Sequence, residues 1–161
     1  MKYILATLVM LASVCAYADG SVTIFVNLTP AGSFQGVSSK TKGNLIKQGA
    51  VFKADKLSVT IESFKTGIEL RDEHLWKHLN SVKHPKATLT DVKGQGGKGT
   101  AVLEVNGVKK PIAIAFVEKG KDIAAKFKVK ASDFGLSKAE YLGVGVQDEV
   151  VVEVTLPFLA K

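Results

Sequence analysis

Residues 123–130 read Ile-Ala-Ala-Lys-Phe-Lys-Val-Lys, with Ile123, Ala125, Phe127 and Val129 alternating with Ala124, Lys126, Lys128 and Lys130. Residues two apart share one face of a β-strand, so this segment has one apolar face and one wet face. A helix would scatter both sets around its circumference. Leu57, Val59 and Ile61 alternate in the same way with Ser58, Thr60 and Glu62. One-faced strands belong to antiparallel sheets with a single side on a core, which limits the chain to a sandwich or a barrel.

Further strand candidates are 21–26, 33–36, 43–46, 86–92, 100–105, 110–117 and 149–156, which brings the expected number to eight or nine. Turn signals separate them: four glycines within 93–99, the hairpin dipeptide Asn106-Gly107, and Gly120. Two segments, 111–117 and Val150-Val151-Val152, are apolar on both faces. In a barrel with an apolar lumen, one face lines the cavity and a helix or loop covers the other. The pattern therefore predicts a barrel. One segment departs from it: Leu75, Trp76 and Leu79 fall at helical spacing, predicting a helix over 69–80 that stops before His84-Pro85.

The N-terminus carries Lys2, an apolar run over 4–14, and Ala16-Tyr17-Ala18 before Asp19. This is the pattern of a signal peptide cleaved after Ala18, and the run is too short to span a bilayer. The expected mature chain is one domain, 19–161. Cys15 is the sole cysteine, and Val14 stands where a lipidation site requires a small residue. Cleavage removes it, which excludes a disulfide framework, a thiolate nucleophile and a c-type haem. The net charge is +7, one unit less without Lys2, and its lysines are dispersed. There is no arginine-rich cluster or interleaved aromatic platform, so nucleic acid is not an expected partner.

All three histidines lie within eleven residues, and His74 and His78 share a helical face. With His84 or a carboxylate they suit a zinc site, although Leu75 occupies the position where a metalloprotease motif has glutamate. Arg71 is the single arginine among 21 lysines. Its planar fork holds carboxylates in a way lysine cannot, which predicts pairing with Asp72, Glu73 or a carboxylate across the fold. No nucleophilic elbow, phosphate loop or carboxylate pair is present.

Thr66-Gly67-Ile68-Glu69-Leu70-Arg71-Asp72-Glu73-His74-Leu75, then His84-Pro85-Lys86-Ala87-Thr88-Leu89, resembles the YceI-like family. Asn106-Gly107-Val108-Lys109-Lys110-Pro111-Ile112 is similar to that family's hairpin, and Ser132-Asp133-Phe134-Gly135-Leu136 to its Asp-Phe-Gly turn, in family order. The sequence departs from the pattern at Asn27, where a histidine is frequent, and at Ala131, where an arginine is.

The resemblance implies an eight-stranded antiparallel lipocalin-like β-barrel in the bacterial periplasm, enclosing a polyisoprenoid, a quinone or a fatty-acyl compound, with no catalytic residues and no required cofactor. The expected lipid-binding residues are Phe34, Leu75, Trp76, Leu79, Phe116 and Phe127, while Arg71, Asp72 and His74 hold the helix at the barrel mouth. Transient contact with a membrane surface is a further expected partnership, and the oligomeric state stays open. Two rival readings are a metal-dependent hydrolase or isomerase using His74, His78 and His84, and an interaction module with a solid core.

Overall fold

A computed structural model of the chain describes residues 20–161; the expected leader, 1–18, lies outside the described residues. The order of elements is β1 (Ser21–Thr29), β2 (Ser33–Ser38), β3 (Thr41–Lys42), β4 (Leu45–Gln48), β5 (Val51–Thr60), a 3-10 turn (Ile61–Ser63), and α1 (Glu69–His78). Then follow β6 (Lys86–Gln95), β7 (Lys98–Val105), β8 (Val108–Lys119), β9 (Asp122–Lys130), a 3-10 turn (Ala131–Phe134), β10 (Glu140–Tyr141) and β11 (Val144–Ala160). The fold is mostly β with one helix, as the alternation predicts. Each expected strand segment overlaps a strand, but residues 43 and 44 form the bend before β4, and Ile61 and Glu62 belong to a 3-10 turn; β3 and β10, two residues each, are too short to alternate.

The eleven described strands form one sheet whose ring runs β11-β4-β5-β6-β7-β8-β9 and closes back on β11. Seven strands make the closed ring, one fewer than expected, with β1 and β2 attached outside that path. The difference comes from the length of β11. One side of it pairs with β9 over 149–157, and the other pairs first with β1 and then, through Phe158, Leu159 and Ala160, with β4. The β4 pairing is parallel, an exception to the antiparallel expectation. Because β2 reverses the direction of β1 and the chain continues that way through β3 and β4, the run meets the far end of β11 in parallel. Gly43 makes the bend before β4: its φ is +113°, and a Cβ there would collide with the Lys56 carbonyl.

The two ends of the barrel differ. At one end Leu45, Phe52, Ala54, Leu57 and Ile123 form a floor with Phe116 and Phe158 packed against it, leaving a small void of about 50 Å³. Phe52 meets Phe116 and Phe158 edge-on, with centroids 5.4 and 5.2 Å away. Gly94 permits this closure, since any side chain there would run into the Phe116 ring. At the other end α1 lies across the opening, tied down by a hydrogen bond from Trp76 Nε1 to the Phe64 carbonyl (3.0 Å) and one from Ser81 Oγ to Glu62 (2.9 Å). The helix ends at His78, two residues before the predicted end, and Asn80 takes a left-handed φ of 56°. No helix among the described residues is long and apolar enough to cross a membrane.

The doubly apolar segment 111–117 behaves differently from expectation. Ile112, Ile114 and Phe116 face inward, but Pro111, Ala113, Ala115 and Val117 on the other face are exposed with no covering element. Alanine costs little in water, so a strand can carry a small-residue outer face without a lid.

Candidate functional site

Above the floor the barrel is hollow. A cavity of about 930 Å³ opens under α1. Its walls come from alternate residues of the strands: Val22, Ile24, Val26 and Leu28 of β1 face Val150, Val152, Val154 and Leu156 of β11, with Phe127 and Leu103 completing the wall. Val22, Phe127, Val152 and Val154 also belong to the main hydrophobic core, so the lumen is the unfilled centre of that core. A largely apolar void of this size suits an apolar guest.

Of the residues expected to bind lipid, Phe34, Leu75, Leu79 and Phe127 line this cavity. Trp76 and Phe116 do not. Trp76 turns to the side of α1, where its indole is hydrogen-bonded and the Lys65 ammonium sits 4.5 Å from its ring centroid. Phe116 belongs to the floor. Residue type alone cannot tell the two ends of a barrel apart, and Phe116 enters the floor because β8 crosses Phe52 there. The aliphatic stripes of β1 and β11, which carry most of the wall, escaped the reading by residue type. Their signal was period-two spacing over Val22-Ile24-Val26-Leu28.

Arg71, Asp72 and His74 occupy different environments. Asp72 is 4 % exposed, and one of its oxygens accepts hydrogen bonds from both the backbone N–H and the hydroxyl of Thr66, each 2.6 Å. Its other oxygen lies 3.7 Å from the Lys65 ammonium. Burial pushes the carboxyl up, but the two Thr66 bonds and the Lys65 charge outweigh it and hold the group below its ordinary value. Asp72 thereby fixes the turn that leads into α1.

Arg71 lines the cavity together with His74. The expected carboxylate partner is absent among the described residues: Arg71 donates to the Thr66 carbonyl (2.9 Å), and its guanidinium carbon stands 4.8 Å from the centroid of the Phe34 ring. Asp72 is already satisfied by Thr66, which removes it as a partner. His78 also borders the cavity, and burial lowers its imidazole pKa. His84 instead packs beside Gly107 of the β7–β8 turn. Among the described residues no three His, Cys, Asp or Glu side chains form a group able to hold a metal ion.

A sequence model of the YceI-like domain matches residues 18–158. The chain belongs to the YceI-like family. Solved structures share the YceI-like barrel at low identity. Burkholderia cenocepacia BcnA is 17% identical with a TM-score of 0.65, over 85% of this chain and 94% of its own. A polyisoprenoid-binding domain from Saccharophagus degradans implicated in plant cell wall breakdown is 15% identical with a TM-score of 0.63, over 88% and 94%. A Campylobacter jejuni YceI protein is 21% identical with a TM-score of 0.59, over 74% and 81%. No curated protein sequence matches this chain. In this YceI-like chain the family's Arg-Asp-x-His-Leu block thus divides its work, Asp72 fastening the turn while Arg71, His74 and Leu75 face the cavity.

Proposed function

We propose that this YceI-like chain is a non-catalytic periplasmic carrier or store for one amphiphilic lipid, a polyisoprenoid, quinone or fatty-acyl compound. The observation that carries the proposal is the largely apolar cavity of about 930 Å³ that opens beneath α1. Its aliphatic wall suits a flexible tail, and its mouth leaves a headgroup near the polar residues of α1. Burial of each methylene contributes about 0.8 kcal/mol, so ten buried carbons supply roughly 8 kcal/mol before ordering costs. The polyisoprenoid-binding description of the Saccharophagus degradans domain supports the same ligand class.

The rim of the mouth supports loading from a bilayer. Ile68 (53 % exposed), Leu70 (58 %), Leu142 (85 %) and Val144 (41 %) all border the cavity and face water, beside Lys77 and Lys138. An apolar collar with lysines matches the interface of an anionic membrane.

The test is native mass spectrometry of the protein exported with its own leader, recovered from the periplasmic fraction and then extracted with organic solvent. A stoichiometric isoprenoid or fatty-acyl adduct is expected. A bare protein mass that stays unchanged on adding quinones, polyprenyl lipids and fatty acids would sink the carrier reading in favour of an interaction module.

A further inference from the structure

The charges that border the cavity are strongly one-signed. Lys42, Arg71, Lys77 and Lys138 contribute cations, and Glu140 is the one carboxylate among the described residues of the lining. Lys77, Lys138 and Arg71 take part in no ion pair among the described residues. Outside the lining five lysines among the described residues pair with carboxylates, Lys47 with Glu118 at 2.7 Å and Lys126 with Glu153 at 3.1 Å included, so what marks the mouth is the grouping of its cations rather than their lack of partners.

Arg71 adds a second, independent observation. Its Nε is buried and has no hydrogen-bond acceptor. One face of its guanidinium is turned to the Phe34 ring, and one Nη is held by the Thr66 carbonyl. The side chain is therefore fixed at both face and edge, with a buried donor left over. Leaving such a donor unsatisfied is costly, and native structures avoid it unless a missing partner supplies the acceptor. A planar fork with a spare N–H calls for an anionic oxygen, and lysines nearby add charge without demanding geometry.

We propose that the cavity selects amphiphiles with an anionic headgroup, a phosphate or carboxylate accepted by Arg71 at the mouth, over neutral lipids of the same tail. The inference rests on the carrier reading and narrows it: the strands fix where the tail goes, and Arg71 fixes which headgroup follows. Phosphate and carboxylate share the relevant chemistry, an oxyanion on the end of a chain.

The experiment compares geranylgeranyl phosphate, geranylgeraniol and inorganic phosphate by titration calorimetry on the mature protein and on Arg71→Met and Lys138→Met. Arg71→Met keeps an apolar stem against Phe34, and Lys138→Met changes a side chain with no ion pair to lose. The expected result is binding of the phosphate at least about tenfold tighter than the alcohol, as charge-assisted bonds predict. Arg71→Met should lose most of that preference, its affinity for the phosphate falling far more than its affinity for the alcohol, with a cooperative urea transition showing that it has folded, and Lys138→Met should lose part of it. Raising the salt should shrink the preference. Equal affinity for phosphate and alcohol overturns the headgroup proposal and leaves the carrier reading standing. Binding of neither overturns both. Inorganic phosphate binding as tightly as the lipid would assign the site to a free anion and overturn the proposal as well.

Discussion

The guanidinium of Arg71 and the ring of Phe34 face each other at the cavity mouth, 4.8 Å apart, joining α1 to β2. Strand β2 ends the strand order beyond β1, and its outer edge carries a bridge from Val37 to Lys65 in the segment that leads into α1. A cation over an aromatic face is worth about 0.5–1 kcal/mol when partly exposed. Phe34→Leu keeps an apolar side chain and removes the face. It should lower unfolding stability by about 1 kcal/mol in urea, and it should weaken any preference for charged headgroups by loosening Arg71. Stability equal to the parent would show that the stacking contributes nothing.

Asp72 governs the acid limb of stability. Its carboxyl titrates below the ordinary 3.8 in the folded protein, despite burial, because Thr66 and Lys65 favour the charged form. The unfolded chain therefore takes up this proton first as pH falls, so the stabilisation is present above about 3.8 and is lost through the lower folded value. Asp72→Asn should flatten the decline below pH 4 in urea unfolding, and Asp72→Ala, which removes both Thr66 bonds, should cost about 2 kcal/mol at neutral pH. Parallel acid limbs for Asp72→Asn and the parent would contradict the assignment.

His78 acts in a higher window, with the same sign for a different reason. Burial beside the cavity disfavours its charged form, so the folded value lies below 6.5. As pH falls past 6.5 the unfolded chain gains a proton that the folded chain refuses, and stability drops until the folded group also titrates. His78→Gln should remove the slope between about pH 7 and the folded titration, seen in thermal unfolding across a pH series. An unchanged slope would mean that another group carries it.

How far the sequence revealed this arrangement depends on the length scale of the signal. Alternation at Ile123, Ala125, Phe127 and Val129 reports which side of a strand is apolar, and all four do face inward or pack on the core. It carries no information on height along the barrel axis, which is why Phe127 and Phe116 read alike although one borders the cavity and the other closes the floor. The seven-strand ring was equally hidden, because it depends on how far β11 outruns β1 before meeting β4. For Arg71, being the single arginine singled out the position, but its partner is a backbone carbonyl and an aromatic ring, neither of which has a sequence signature. The rim residue Leu142 broke a local rule and for that reason was not visible as a turn.

That rule concerns backbone. Leu142 and Gly143 form the two-residue turn between β10 and β11, with Tyr141 opposite Val144, and both have positive φ, 51° and 77°. Asparagine-glycine is the favoured pair for such a turn, and a leucine held there costs about 1 kcal/mol. Leu142→Asn should therefore raise stability by about that amount. If the exposed leucine touches lipid, the same variant should bind anionic vesicles of phosphatidylglycerol and phosphatidylcholine more weakly. Gain in one and loss in the other would mark a residue kept for contact at the expense of stability. Weaker stability, or unchanged vesicle binding, would remove Leu142 from the rim's function.

The division between floor and lumen makes opposite demands on two aromatic substitutions. Val150 borders the cavity, so Val150→Phe places its added bulk in empty space and should change stability by less than about 1.5 kcal/mol. The tail would lose that space, and longer isoprenoids should bind at least about tenfold more weakly while shorter ones are spared, since each methylene left unburied forfeits about 0.8 kcal/mol. Phe116→Ala does the reverse: it strips one edge-on partner from Phe52 and should cost about 2 kcal/mol, less than a fully buried ring would, without weakening tail binding above the floor. Calorimetric titration with isoprenoid alcohols of graded length, beside urea unfolding of both variants, reads the two effects separately. Should Phe116→Ala weaken the binding of every chain length as strongly as Val150→Phe weakens the long ones, the tail would have to reach the floor, and Phe116 would return to the lumen where the sequence had placed it.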